Sequence, residues 1–160
     1  MIVLEYYFGC SDSLSIRTMN ELLKKYNYEP SILKNFRSSL KYKLPSRYDK
    51  LMIDSGGFSL LSLPDRKMFR KYAEYIERMN PDYCINFDIS CKPEKLKQYN
   101  LSVEQAQGIS NENYWELVEL LPIQPLPVIQ GQGVEDYLNH LEMMRRDNIP
   151  LDAVCIGSLV

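Results

Sequence analysis

A pattern that recurs four times most constrains the fold of this chain. A short apolar stretch ends in a polar residue, a glycine or both, at 51–58, 83–88, 126–133 and 153–158. Apolar runs of this length, separated by helical patterns, are typical of strands buried in a parallel sheet. The carboxyl ends of parallel strands lie along one edge, where ligand crevices form. The polar residues predicted to meet there are Asp54, Asp88, Gln130 and Gly157.

The remaining elements follow from apolar periodicity. A first strand is predicted at 2–8, before Gly9. Amphipathic helices are predicted at about 14–26, between Asp65 and Asn80, at about 113–121 and at about 134–144. Ser102 to Gln105 has a capping-box form, but Gly108 is expected to interrupt a helix there. A charged stretch reaching Tyr99 is expected to be a loop.

The alternation of strands and helices predicts an α/β fold with a parallel sheet. No GxGxxG sequence follows the first strand, so a dinucleotide-binding fold is disfavoured. A (β/α) barrel of TIM type fits better, although a complete one takes about 250 residues. With five predicted strands of eight, residues 1–160 are expected to form one domain, the N-terminal portion of an incomplete barrel.

Composition sets further limits. The net charge of −2 gives no overall preference for nucleic acid or membranes, and no apolar run approaches the length of a membrane span. The first residues lack the basic region of a signal peptide, so a cytoplasmic protein is expected. The four cysteines show no CxxC spacing and accompany a single histidine, His140. No metal site is predicted from them, and His140 is assigned no role.

One segment is strongly basic. Residues 17–50 contain nine basic and three acidic residues, interleaved with tyrosines and a phenylalanine. Cations for phosphates and aromatic rings for bases are typical of a nucleic-acid contact. Charge alone equally fits a solvated helix face, which is the commoner case. The candidate nucleic-acid contacts are Lys34, Arg37, Lys41, Lys43 and Arg47.

An ordered set of motifs resembles the tRNA-guanine transglycosylase family. These are Asp54-Ser-Gly-Gly-Phe58, Phe87-Asp88, Val128-Ile129-Gln130-Gly131 and Ile156-Gly157. The family includes queuine and archaeosine tRNA-ribosyltransferases and relatives that place 7-deazaguanines into DNA. The resemblance covers about residues 50–160. It implies base exchange, with guanine in tRNA or DNA replaced by a 7-deazaguanine.

The resemblance also implies roles for individual residues. Asp54 would be the general acid and base, and Asp88 would accept the ring N–H and exocyclic amine of the base, as carboxylates recognise base donors. The chemistry of such a base adds that its carbonyl needs donors, for which Gln130 and backbone N–H groups near Gly131 and Gly157 would serve, and that Phe58 or one of the tyrosines would stack on it. The expected substrate-binding residues are Ser55, Gly56, Phe58, Asp88, Gln130, Gly131 and Gly157.

The nucleophile and a zinc site of the family belong to later motifs, expected beyond Val160, so no cofactor is expected in this chain. Two alternatives remain open. One is a non-catalytic base-binding subunit that needs a partner chain for the nucleophile, and the other is an unrelated barrel enzyme acting on a small phosphorylated metabolite. Because an incomplete barrel leaves strand edges unpaired, a homo-oligomer or a completing partner chain is also expected.

Overall fold

The computed structural model describes residues 7–10, 12–38 and 42–157. Its strands are β1 (Tyr7–Gly9), β2 (Ser31–Asn35), β3 (Leu51–Asp54), β4 (Tyr83–Cys84), β5 (Val128–Ile129) and β6 (Cys155–Ile156). Its helices are α1 (Ser13–Tyr26), α2 (Arg66–Met79), α3 (Pro93–Tyr99), α4 (Val103–Leu120) and α5 (Val134–Arg146), with a short 3-10 turn at Gly57–Ser59. The predicted α/β fold is confirmed. No helix within the described ranges is long and apolar enough to cross a bilayer.

The strands are parallel and follow chain order. Strands β1 to β4 form one sheet, and β5 pairs with β6. A parallel bridge between Ile85 and Leu126 joins the two sets. All six carboxyl ends therefore lie along one edge, as parallel pairing requires. The predicted first strand at 2–8 is described only from Tyr7 onward.

Six described strands replace the five that were predicted, because β2 lies inside the basic segment. Ile32 and Lys34 of this strand are both fully buried. The Lys34 ammonium donates to the Cys10 carbonyl at 2.7 Å, and burial lowers the pKa of Lys34. The prediction of a nucleic-acid contact at Lys34 is therefore wrong, since its charged end lies in the interior. Lys41, a second candidate, lies outside the described residues.

An aromatic cluster holds helix α2 against the sheet. The rings of Phe36 and Phe87 lie 5.2 Å and 5.1 Å from the ring of Tyr72, both in edge-on geometry. The Tyr72 hydroxyl lies within hydrogen-bonding distance of the carbonyls of Ile53 (3.1 Å) and Ile85 (2.9 Å). A single buried side chain therefore fixes β3 and β4 near the edge where both strands end.

Helix α4 runs without a break through Gly108, so the predicted interruption is wrong. The capping box at its start is present: Gln105 N–H donates to Ser102 Oγ at 3.1 Å, and Ser102 N–H donates to Gln105 Oε1 at 2.9 Å. A Cβ atom at Gly108 would meet only Met143 Cε of α5, at 3.9 Å. The charged stretch before Tyr99 forms helix α3, with Pro93 in its first turn.

We expect Gly108→Ala to stabilise the protein. Alanine costs less backbone entropy in a helix than glycine, and 3.9 Å is ordinary van der Waals contact, so the free energy of unfolding should rise by about 0.5–1 kcal/mol. Urea denaturation measures the change. Gly131→Ala is the matched control and should destabilise, because its Cβ would lie 2.9 Å from the backbone nitrogen of Tyr137. A destabilised Gly108→Ala would contradict this account of α4.

Candidate functional site

A cavity of about 490 Å³ lies at the carboxyl edge of the sheet and takes residues from β2 to β6. It brings together six of the predicted site residues: Asp54, Gly56, Phe58, Asp88, Gln130 and Gly157. Asn35, Lys92 and Cys155 also line it and were not predicted. A larger cavity of about 650 Å³ lies between α4 and α5 and contains none of the predicted site residues.

Asp54 is the last residue of β3 and is held by two hydrogen bonds. Its Oδ2 accepts from Asn35 Nδ2 at 2.9 Å, and its Oδ1 accepts from Gly56 N–H at 3.2 Å. Burial raises the pKa of Asp54, while these two donors oppose the rise. Gly56 has a positive φ of 73°, and a Cβ there would lie 2.7 Å from Asn35 Oδ1. The turn after β3 therefore requires glycine at this position.

Asp88 follows β4 and shares the cavity with Asp54. Its Oδ2 accepts a short hydrogen bond from Gln130 Nε2. Burial raises the pKa of Asp88 to about 6; the charge of Asp54 adds to the rise and the Gln130 amide opposes it. The two carboxylates thus interact electrostatically, as paired groups in acid–base sites do.

Gly157 lines the cavity, but its backbone N–H is used in the sheet. Its N–H donates to Ile129 O at 2.9 Å in the sheet, so among the backbone N–H groups predicted near this position the Gly157 amide itself is already engaged. Its carbonyl accepts from the Tyr137 hydroxyl at 2.7 Å. A Cβ here would lie 2.8 Å from Gln130 Cδ. Glycine at 157 therefore makes room for the amide of Gln130.

Two predicted binding residues lie behind the cavity and do not line it. Ser55 is fully buried, and its hydroxyl donates to the Asn86 carbonyl at 2.8 Å, tying the end of β3 to the chain after β4. Gly131 is packed against α5, where a Cβ would lie 2.8 Å from Asp136 Cβ. We correct the expected direct contacts accordingly: both residues shape the backbone around the site.

The mouth of the cavity is aromatic and basic. Phe58 is 52% exposed, with Lys92 Nζ at 5.5 Å and Lys95 Nζ at 5.1 Å from its ring centroid. The aliphatic part of Arg37 lies against Gly56. The described residues provide no ion-pair partner for these three cations. We call Arg37, Phe58, Lys92 and Lys95 the mouth cluster.

Of the predicted nucleic-acid contacts that the structure describes, only Arg37 lies near the cavity. Lys43 and Arg47 are exposed and do not line it, and Arg47 pairs with Glu29 at 3.2 Å. The signal that could have located Lys92 was its place in the loop after Asp88, because loops that follow strands surround the site. The described residues contain no group of three His, Cys, Asp or Glu side chains able to hold a metal. They do not fit the zinc site of the resembled family.

Fold and cavity together define a class: a parallel α/β protein whose ligand site contains two interacting carboxylates, an amide and an exposed ring. Within that class the chain belongs to the family described as DpdA, DeoxyPurine in DNA protein A, whose model matches residues 28–160. This is a tRNA-guanine transglycosylase-like family that inserts 7-deazaguanine into DNA. The resemblance seen in the sequence is confirmed at the level of the family, and it begins at residue 28 rather than near 50.

A second similarity covers most of the chain. A CTP synthase from Sulfolobus acidocaldarius is 26% identical over 172 residues, which include 89% of this chain and 32% of that protein. The chain thus spans about a third of the length of this relative. No solved structure matches the chain.

We expect Asp88→Asn to stabilise the protein at neutral pH. A folded-state pKa near 6, against the usual 3.8, means that the folded protein binds more protons than the unfolded chain between about pH 4 and 6. Stability is therefore lost as pH rises through that window and stays lost at pH 7. Removing the carboxylate should restore about 1–3 kcal/mol at pH 7 and almost nothing at pH 3.5. Urea denaturation at both pH values measures this.

The control for this experiment is Asp152→Asn, at an exposed position. It should change stability by less than about 0.5 kcal/mol at either pH. Equal stability of wild type and Asp88→Asn at pH 7 would contradict the strained burial of Asp88.

Proposed function

We propose that this chain is the base-binding part of a transglycosylase that exchanges guanine in DNA for a 7-deazaguanine. The observation that carries the proposal is the presence of Asp54, Asp88 and Gln130 in one cavity at the sheet edge. Family membership supports DNA over tRNA as the polymer. Function is thus argued from the site, and the fold only positions it.

Asp88 is the proposed base-recognition group. A guanine-like base presents a ring N–H and an exocyclic amine side by side, and one carboxylate accepts both. Asp88 lines the cavity, so its carboxylate is within reach of a ligand bound there. Gln130 Nε2, which now donates to Asp88, is placed to donate to the adjacent base carbonyl. The half-exposed ring of Phe58 offers a stacking surface at the mouth.

Asp54 is the proposed proton carrier. In the first half-reaction a nucleophile forms a bond to the sugar C1′ as the C1′–N bond to guanine breaks, and Asp54 supplies the proton that the departing base needs. In the second, the incoming base gives its proton to Asp54 and displaces the nucleophile from C1′. The raised pKa of Asp54 supports this exchange. The nucleophile is assigned to no residue of the described chain.

The wider architecture is part of the proposal. We propose that residues 1–160 form the N-terminal portion of a TIM-type barrel, in which the strands described here supply the base pocket. A longer chain, a partner chain or a second copy would then supply the remaining strands, since an unpaired strand edge is an aggregation liability. The alternative is a base-binding subunit that needs a partner chain for the nucleophile.

Base binding is expected to depend on Asp88. Isothermal calorimetry with a free 7-deazaguanine should detect binding to the wild type, and Asp88→Ala should weaken it about 100-fold, because two hydrogen bonds to a charged group are lost. Asp152→Ala, at an exposed acid outside the cavity, is the matched control and should bind like the wild type. Absence of binding by the folded wild type would refute the proposed function.

The mouth cluster is the proposed DNA contact. Lys92 and Lys95 flank the exposed Phe58 ring and Arg37 lies against Gly56, so phosphates would be held outside while the base enters. The mouth cluster takes the place of the basic segment at 17–50 as the proposed main contact with DNA. Arg37 belongs to the mouth cluster and to that segment.

Charge removal at the mouth should weaken DNA binding. In a gel shift with single-stranded DNA, Lys92→Gln combined with Lys95→Gln should lower affinity and reduce the slope of log K against log salt by about 1.4. Lys24→Gln combined with Lys25→Gln, in the last turn of α1, removes the same charge far from the cavity and should leave the slope almost unchanged. An effect confined to the α1 pair would favour the basic segment instead.

A further inference from the structure

His140 is the only histidine, and it is completely buried on α5. Its Nδ1 accepts a hydrogen bond from the Gln130 backbone N–H at 2.9 Å, and its Nε2 lies 3.1 Å from Asn111 Oδ1. Because Nδ1 is an acceptor, the ring proton is on Nε2, which donates to Asn111. Burial lowers the pKa of His140 to about 4, which keeps the ring neutral, with Nδ1 unprotonated and able to accept the hydrogen bond.

The hydrogen bond between Gln130 N–H and His140 Nδ1 takes the place of a hydrogen bond within the sheet. Strand β5 ends at Ile129, whose carbonyl accepts a hydrogen bond from the N–H of Gly157, just after β6. Among the described residues, the acceptor for the next amide, Gln130 N–H, is His140 Nδ1 and not a strand carbonyl. An unpaired buried amide is costly, so the imidazole satisfies a real requirement. On the other side of the same peptide, the Gln130 carbonyl accepts from Gln107 Nε2 at 2.7 Å.

The side chain of Gln130 is therefore anchored through its backbone. With the main chain held by His140 and Gln107, the amide extends toward Asp88 and the cavity. Its Oε1 accepts from Cys91 N–H at 3.5 Å, which also sets which end of the amide faces Asp88. On the far side of His140, Asn111 continues the series of hydrogen bonds: its Nδ2 donates to Asp147 Oδ2 at 2.7 Å.

We propose that His140 is a positioning residue for the cavity, and that its Nδ1–Gln130 contact fixes the amide that holds Asp88. The hydrogen-bonded series Asp147, Asn111, His140, Gln130 and Asp88 runs from the surface beside α5 to the cavity. Its effect on base affinity rests on the proposed function. Its effect on Asp88 in the free protein does not.

Two variants distinguish the hydrogen bond made by Nδ1 of His140 from the one made by its Nε2. In His140→Asn the side-chain oxygen takes the place of Nδ1 and keeps an acceptor for Gln130 N–H. In His140→Gln the amide reaches Asn111 and leaves Gln130 N–H unpaired. Both lose one hydrogen bond and the ring, so similar losses of stability are expected. A residue with only a packing role would therefore give two equivalent variants.

The first readout is the titration of the Asp88 carboxyl, followed by its ¹³C signal in the unliganded protein. We expect the midpoint to move to higher pH in His140→Gln, because the displaced Gln130 no longer donates to the carboxylate. In His140→Asn the midpoint should stay near that of the wild type. Equal midpoints in both variants would overturn the proposal.

The second readout is affinity for a free 7-deazaguanine by calorimetry. We expect about tenfold weaker binding for His140→Gln and less than threefold for His140→Asn, since one hydrogen bond is worth about 1.4 kcal/mol or less. If the wild type binds no base while the Asp88 titration still separates the variants, the positioning role holds and the proposed function fails.

A measurement on the wild type covers the case in which neither variant folds. The ¹⁵N shifts of the His140 ring should show a proton on Nε2 alone, with a coupling through the hydrogen bond between Nδ1 and the Gln130 amide nitrogen. A proton on Nδ1 would exclude the acceptor role and overturn the proposal.

Discussion

The site depends on one pair of hydrogen bonds between the two parts of the sheet. Leu126 N–H donates to Cys84 O at 2.7 Å, and Asn86 N–H donates to Leu126 O at 3.0 Å. Asp88 lies on one side of this junction and Gln130 on the other, so their contact exists only in this register. A slip of one residue would turn every alternate side chain to the opposite face. The buried hydroxyl of Tyr72 supports the same region by bonding the carbonyls of Ile53 and Ile85.

Helix α4 supports the loops that carry Asp88 and Gln130, and it does so with polar side chains. Its buried polar residues are Gln107, Ser110, Asn111 and Asn113. Ser110 Oγ accepts from Ile89 N–H at 2.8 Å, and Asn113 Nδ2 donates to Phe87 O at 2.8 Å, on both sides of Asp88. A buried face made of amides gives no apolar periodicity, which is why the sequence predicted only the second half of this helix.

The convergence of Asp54, Asp88 and Gln130 could be predicted because it follows from strand polarity alone, whatever the details of packing. Strand β2 could not, because a lysine as its fourth residue hides the alternation that marks a buried strand. Lys34 is accommodated by one carbonyl, from Cys10, which no local pattern reveals. The roles of Ser55 and His140 were missed for a similar reason, since each depends on a backbone group distant in the chain, at Asn86 and Gln130.

The distribution of charge along the depth of the cavity discriminates between ligands. Carboxylates lie inside, at Asp54 and Asp88, and cations lie at the mouth, at Lys92 and Lys95. A ligand that placed a phosphate inside would bring negative charge toward two carboxylates, at a cost that low dielectric increases. A nucleotide that presents its base inward and its phosphates outward meets hydrogen-bond acceptors for its N–H groups inside and cations for its phosphates at the mouth. This order of charges favours a base in a polynucleotide over a small phosphorylated metabolite, the alternative left open by the sequence.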